Sequence, residues 1–342
     1  MKSDYRYALA FYKEDKTPLG QVPLEVDWEP AVECARFGAF RKDVLAPEDG
    51  SVEAAIEPIW LKAPYLSGFR VAFERNGTTG INQDFDTDYF AGLAKGVVPQ
   101  LVESGKLAEN ERYFFLAVAF PAEKDQDEPA KLGIVAQPVT PSLALKSSSL
   151  PELTREASPV GALSDDVPVF LPERVLGEVE ALAREACPKE TGGILIGHLH
   201  RDSDLPELAA EVTAQIHARR AEADSVRLNF TAACWTDVKG ALELRGQGEI
   251  MLGWWHSHPV REWCKDCSNE SQEGCALARD FFSAHDRALH RAVFPRAYSI
   301  ALVANDVGVG DLSFSLFGWR NGLIAPRGYH LKGKEAPNGC VP

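Results

Sequence analysis

The sequence predicts a mixed α/β chain in two parts: a separate N-terminal α+β domain, then an α/β domain whose mixed β-sheet is flanked by helices. Three observations carry that expectation. A length of 342 residues exceeds what one compact domain usually needs. Residues 137–168, "QPVTPSLALKSSSLPELTREASPVGALSDDVP", hold five prolines and a serine run, a composition that resists helix and ladder alike and reads as a linker. On both sides of it, apolar residues recur with periods of strands and of helices. The expected boundaries are 1–136 for the first domain, 137–166 for the linker and 167–330 for the second domain, with an insertion at 260–281 and a tail at 331–342.

In the first part, Phe69, Val71 and Phe73 alternate as in a strand, Phe90, Leu93, Val97, Val98 and Leu101 recur at helical spacing, and "RYFFLAVAF" reads as a buried strand. No catalytic constellation accompanies them. Cys34 is solitary, no histidine precedes His198, and "NGTTG" lacks the lysine of a phosphate loop and reads as a turn. A binding or positioning role is the default expectation. In the second part, Pro172 sits where a helix can begin, and Val175, Leu176, Val179, Leu182, Ala183 and Ala186 form one apolar face. Strands are expected at "TGGILIGHLH", at alternating Leu208, Ala210, Val212, Ala214 and Ile216, and at Val226, Leu228 and Phe230. "TDVKGALELRG" suggests a helix. "EIMLGWWHSHP" is an apolar strand running into histidines, and "AYSIALVAND" and "LSFSLFGWR" supply two more.

The net charge of −14 and pI near 5.1 argue against nucleic acid or an anionic membrane as partner, because both need clustered Lys and Arg. A protein, peptide or small molecule is the better expectation. No secretory signal opens the sequence, and its longest apolar runs fall short of the ~20 residues that span a bilayer. With seven cysteines, an odd number, the chain reads as soluble and cytoplasmic, its thiols reduced or on metal.

His256 and His258 are two apart in an extended segment, so both side chains project to one side and can reach one ion. Neutral imidazole suits zinc, and a catalytic zinc needs three protein ligands, the third a carboxylate or another histidine. The surrounding pieces are "ETGGILIGHL" headed by Glu190, then "HSHP" from His256 to Pro259, then "SAHD" with Ser283 and Asp286. In that order they resemble the JAMM (MPN+) zinc metalloprotease family, of the bacterial ubiquitin-like deconjugase type. The resemblance covers residues 167–322 and implies an MPN (cytidine-deaminase-like) domain. It also implies a zinc held by His256, His258 and Asp286. One departure stands out. Twenty-seven residues separate His258 from Asp286, more than the family's usual spacing, which lands on Asn269. Asp280 fails as well, with Leu277 where the serine belongs, so the extra residues must loop out between two halves of one site.

With those ligands, the fourth zinc position is left for water at a pKa lowered toward ~7. Glu190, near the metal but not on it, is the candidate to take the water's proton and return it to a leaving amine. Ser283 is a candidate donor to the tetrahedral oxyanion, or alternatively an N-cap for "AHDRALHRAV". Trp254 and Trp255 either wall a substrate channel or belong to the core. The resemblance implies cleavage after the C-terminus of a ubiquitin-like protein, as deconjugation or precursor processing. It implies E1-like and E2-like proteins as further partners, in a pathway that in some bacteria serves phage defence. Two other readings stand beside it: a non-catalytic MPN scaffold, and a hydrolase of small peptides or of a sulfur carrier.

The insertion carries Cys264, Cys267 and Cys275, three thiolates suited to a second, structural zinc. Cys234, His285, His290, Cys340 or Asp266 are the choices for its fourth ligand, and spacing does not select one. Reduced thiols or a redox-sensitive pair are the alternative. An iron–sulfur cluster would lack a fourth cysteine nearby.

Overall fold

The computed structural model describes residues 3–45, 54–75, 78–122, 143–163, 166–267, 281–306 and 312–333. The chain divides into two compact units, Met1–Ser142 with Asn321–Leu323, and Leu143–Arg320 with Ile324–Pro342. In the first, the strands are β1 (Tyr5–Lys13), β2 (Pro18–Pro23), β3 (Ala54–Lys62), β4 (Tyr65–Arg75), β5 (Thr78–Asp86) and β6 (Tyr113–Pro121). They form one sheet in the order β2-β1-β6-β4-β3, with β5 on β4. Phe69, Val71 and Phe73 of β4 alternate into the core as their spacing predicts, joined by Leu9 and Phe11 of β1. Helices α1 (Glu29–Arg41) and α2 (Ala91–Glu103) contribute to the same core through Ala31, Val32, Ala94 and Leu101. Phe90 is the N-cap of α2, one residue outside the helix its periodicity announced. Of "NGTTG", Asn76 and Gly77 lie outside the described residues, and Thr78 begins β5.

The second unit is a mixed sheet with helices, as expected. Its strands are β7 (Leu145–Ser148), β8 (Ala157–Val160), β9 (Val169–Pro172), β10 (Gly192–Asp202), β11 (Leu208–His217), β12 (Glu222–Ala223), β13 (Leu228–Asn229), β14 (Ile250–His258), β15 (Ile300–Asn305), β16 (Ser313–Arg320), β17 (Leu323–Arg327) and β18 (Tyr329–Lys332). The main sheet runs β17-β16-β15-β14-β10-β11-β9-β18-β8, with β7 also on β10. At its centre β10 is antiparallel to β11 and β14, while β14 and β15 run parallel. The helices are α3 (Leu150–Arg155), α4 (Glu173–Ala186), α5 (Ala232–Arg245), α6 (Val260–Trp263) and α7 (Ala284–Val293). Helix α4 buries Val175, Val179 and Ala183 against strands that include β9, β11 and β14. Helix α5 opens on Thr231, whose hydroxyl accepts from the Cys234 amide, and closes on Gly246 in the left-handed region.

Three expectations need correction. Residues 143–163, assigned to the linker, hold β7, α3 and β8, all paired or packed within the second unit. Their prolines sit where proline does least harm: Pro151 in the first turn of α3, and Pro159 in β8, the outermost strand of the sheet. Residues 137–142 and 164–165 lie outside the described residues. Val226, Leu228 and Phe230 do not make a full strand. The segment folds back as the two-residue ladder of β12 and β13, and Val226 is left exposed. The tail begins later than residue 331, because Leu331 and Lys332 pair with β8 and β9 through β18; residues 334–342 lie outside the described residues.

Candidate metal centre

Strand β14 ends in His256 and His258, which the two-residue repeat of a strand places on one face. Their Nε2 atoms lie 2.9 Å apart, and the Asp286 carboxylate faces both, Oδ1 at 3.4 Å from His256 and Oδ2 at 3.6 Å from His258. A tetrahedral zinc with bonds of about 2.0–2.1 Å requires donor atoms roughly 3.4 Å apart. The three separations bracket that value. All three side chains are buried, and they are the one group among the described residues close enough to hold a metal. They are positioned to coordinate a single Zn2+.

The proton inventory agrees with this donor set. His258 Nδ1 sits 3.1 Å from Asn305 Oδ1, and the Asn305 amide nitrogen donates to Ser315 Oγ at 3.2 Å. An amide oxygen only accepts, so Nδ1 carries the hydrogen and Nε2 presents its lone pair inward. Burial lowers the pKa of His256, against the opposing pull of Asp286, and favours the neutral imidazole that binds metal. Burial alone would raise the Asp286 carboxyl, yet hydrogen bonds and charge from His256, with further bonds from His258 and Ser283, hold it well below the carboxylate range. The ligand is an anion at any working pH.

Asp286 reaches the site through a helix start. Ser283 is the N-cap of α7: its Oγ accepts from the Asp286 amide at 3.0 Å, and the Asp286 carboxylate accepts from the Ser283 amide at 2.8 Å. This reciprocal box fixes the carboxylate that faces the two imidazoles. The N-cap alternative for Ser283 is therefore the observed geometry.

Glu190 stands just before β10 and is buried without belonging to the donor set. Its pKa is pushed up to about 8, first by burial and then by the carboxylates of Asp286 and Asp224. Its backbone is fixed from two sides. The Glu190 amide donates to the Asp224 carbonyl at 2.8 Å, and next to it the Thr191 amide donates to Ser257 Oγ at 3.0 Å. The serine between the two histidines thus stitches β14 to the segment carrying Glu190. Gly192 is needed at that junction, because a Cβ there would meet the Trp255 carbonyl at 2.5 Å.

The insertion is anchored at both ends around His258. Phe281 stacks on the His258 ring at 4.4 Å, Trp263 lies 5.3 Å from it, and the Trp263 indole donates to the Ser225 carbonyl. Residues 268–280 lie outside the described residues, Cys275 among them. Cys264 is buried and Cys267 exposed, in a turn where the Cys267 amide donates to the Cys264 carbonyl. Of the residues weighed as a fourth thiolate partner, Cys234 lies in α5 beside Thr231, and His290 accepts from the Trp254 indole. Cys340 lies outside the described residues. Trp254 and Trp255 are fully buried and so belong to the core. Asn305, Ser257, Trp263 and Phe281 were missed by sequence reasoning. Asn305 had one usable signal: it ends the strand "IALVAN", and parallel pairing puts it opposite His258.

Residues 172–262 match the family model described as prokaryotic homologs of the JAB domain. The match ends just inside the insertion and does not extend to Ser283 or Asp286. No curated protein matches the chain. Among solved structures, the solution structure of protein DSY2949 from Desulfitobacterium hafniense is similar at 20% identity and a TM-score of 0.33, over 50% of this chain and 95% of that one. No helix among the described residues is long and apolar enough to cross a membrane. Residues 172–262 thus carry a prokaryotic JAB-like (JAMM/MPN-like) domain, and the His-His-Asp triad completed by Asp286 is consistent with the zinc site of a JAMM metalloprotease.

Proposed function

We propose that the chain is a zinc-dependent isopeptidase that hydrolyses the bond following the C-terminus of a ubiquitin-like protein, releasing a conjugated amine or a precursor tail. The observation that carries the hydrolytic part is the juxtaposition of three buried metal donors with a buried carboxyl outside the donor set. Zinc bound by His256, His258 and Asp286 supplies Lewis acidity, which acidifies water and polarises a carbonyl. Glu190 takes the proton of the attacking water and passes it to the amine as the amide C–N bond breaks. A pKa near the working pH lets one group do both: burial pushes the Glu190 carboxyl up to about 8 in the metal-free protein, and a bound cation nearby would draw it back down. Ser283 donates its hydroxyl hydrogen to the oxygen that becomes negative, while its Oγ goes on accepting from the Asp286 amide.

The choice of substrate rests on the resemblance of the motif set to ubiquitin-like deconjugases. An acidic chain of net charge −14 is also suited to a protein partner and not to a polyanion. E1-like and E2-like proteins of the same pathway are the further partners this reading implies. The test is incubation of the purified protein with a ubiquitin-like protein fused through its C-terminus to a reporter. Cleavage that stops with a chelator, resumes with zinc and is lost in Glu190→Gln is the expected result. Cleavage of an unrelated peptide but of no ubiquitin-like fusion would replace the substrate class, and full turnover by Glu190→Gln would remove the mechanism.

A further inference from the structure

The three metal donors are not held alike. Asp286 is fixed by the Ser283 amide and His258 by Asn305, whereas His256 Nδ1 is buried with no hydrogen-bond partner among the described residues. A ligating histidine usually donates its outer N–H to an acceptor that sets the ring's orientation. His256 lacks one, so something else must set its ring.

That ring lies flat on Trp254, with centroids 4.5 Å apart and planes 12° from parallel, and Phe282 lies 6.1 Å away. The orientation of His256 is therefore the orientation of the Trp254 indole. The indole is in turn fixed by one polar contact, Nε1 to His290 Nδ1 at 3.1 Å. An indole N–H can only donate, so His290 Nδ1 must present a lone pair and the ring's hydrogen must sit on Nε2. That Nε2 is buried and also without a partner among the described residues. Burying an unsatisfied N–H is destabilising, a cost that an apolar side chain of similar size would avoid. His290 is moreover four residues after Asp286 on α7, so one helix presents both a donor to the metal and the acceptor that locks Trp254. Burial holds the His290 pKa down at about 3, which keeps the ring neutral and able to accept.

We infer that His290 is a positioning residue for the metal centre, acting on His256 through the Trp254 indole. This rests on the proposed zinc site but adds a residue, outside the His-His-Asp set, whose chemistry decides how well that site binds. The test measures zinc affinity by chelator competition, the visible absorption of the cobalt-substituted protein, and thermal stability of the metal-free protein. These are compared in the full-length wild type, His290→Leu, His290→Asn and Trp254→Phe. His290→Leu removes the acceptor, and zinc affinity should fall by about 10–100-fold with an altered cobalt spectrum, while the metal-free protein melts at the same temperature or higher. Asparagine places an oxygen where Nδ1 stood, and His290→Asn should recover most of the affinity. Trp254→Phe keeps a stacking ring without its anchor and should behave like His290→Leu. Zinc affinity within about twofold of wild type in a folded His290→Leu would overturn the inference, as would equal losses in the Leu and Asn variants. A wild type that binds no zinc would instead overturn the metal site itself, so the two failures are distinguishable.

Discussion

At the scale of single residues, the decisive contrast is between two buried carboxyls at the metal centre, Asp286 and Glu190. Asp286 is surrounded by donors and stays ionised, while Glu190 faces Asp286 and Asp224 and is raised to about 8 from an ordinary 4.5. The sign of the resulting pH effect follows from which state holds the proton. Between those two values the folded metal-free protein keeps the Glu190 proton and the unfolded chain has lost it, so stability falls as pH rises through that window. Glu190→Gln carries no such penalty. The metal-free variant should therefore be more stable than wild type at pH 8 by up to about 4 kcal/mol, with little difference near pH 4. Zinc, a cation beside the carboxylate, should shrink the gap. Chemical denaturation at the two pH values, with and without zinc, checks all three statements. An equal stability difference at both pH values would mean that Glu190 is not protonated in the folded metal-free state.

At the scale of elements, α7 does two things at once: it starts on Ser283 and it delivers Asp286. Sequence reasoning held the cap and the oxyanion donor as alternatives for Ser283, and a serine can be both because its oxygen accepts while its hydrogen donates. Substitution separates the roles. Ser283→Ala should cost about 1 kcal/mol of stability and Ser283→Gly only a few tenths, because glycine is a tolerable N-cap. If the hydroxyl also serves the oxyanion, both variants should lose at least about tenfold in kcat despite their different stabilities. Turnover of Ser283→Gly equal to wild type would leave only the cap. The helix itself was legible only through its start, as the segment that Ser283 could cap. Its partner strand β14 was legible as an unbroken apolar run, because a strand covered on both faces shows no alternation.

At the scale of the whole molecule, the linker shows how composition misleads. Proline and serine content marked residues 137–166 as unstructured, but content does not register position, and Pro151 and Pro159 occupy a helix start and a sheet edge. The segment is also secured by partners distant in sequence. Lys146 Nζ meets His198 Nε2 and Ser148 Oγ meets His200 Nδ1, each at 2.7 Å, and Asp202 accepts from the Leu150 amide at 2.6 Å. A fragment beginning at residue 143 should thus melt cooperatively and bind zinc. One beginning at residue 167, the boundary the sequence suggested, should lose β7 and β8 and melt several degrees lower, because buried His198 and His200 lose partners. Circular dichroism melts of the two fragments, with zinc per chain measured for each, decide between the boundaries.

The sequence by itself determined the chemical identities: two histidines at a strand end, a carboxylate at a helix start, a glutamate before a strand, and the α and β character of both halves. These are legible because strand and helix periods and capping residues are local properties of the chain. The tertiary structure brings Asp286, the carboxylate that the sequence motif had named, to the two histidines across twenty-seven intervening residues. It also decided that Asn305, Ser257 and Trp254 attend the donors, that two tryptophans are core, and that an apparent linker holds two strands and a short helix. None of that is local. It follows from strand pairing and close packing between segments far apart in sequence, where the energy of a contact depends on what the fold brings opposite it.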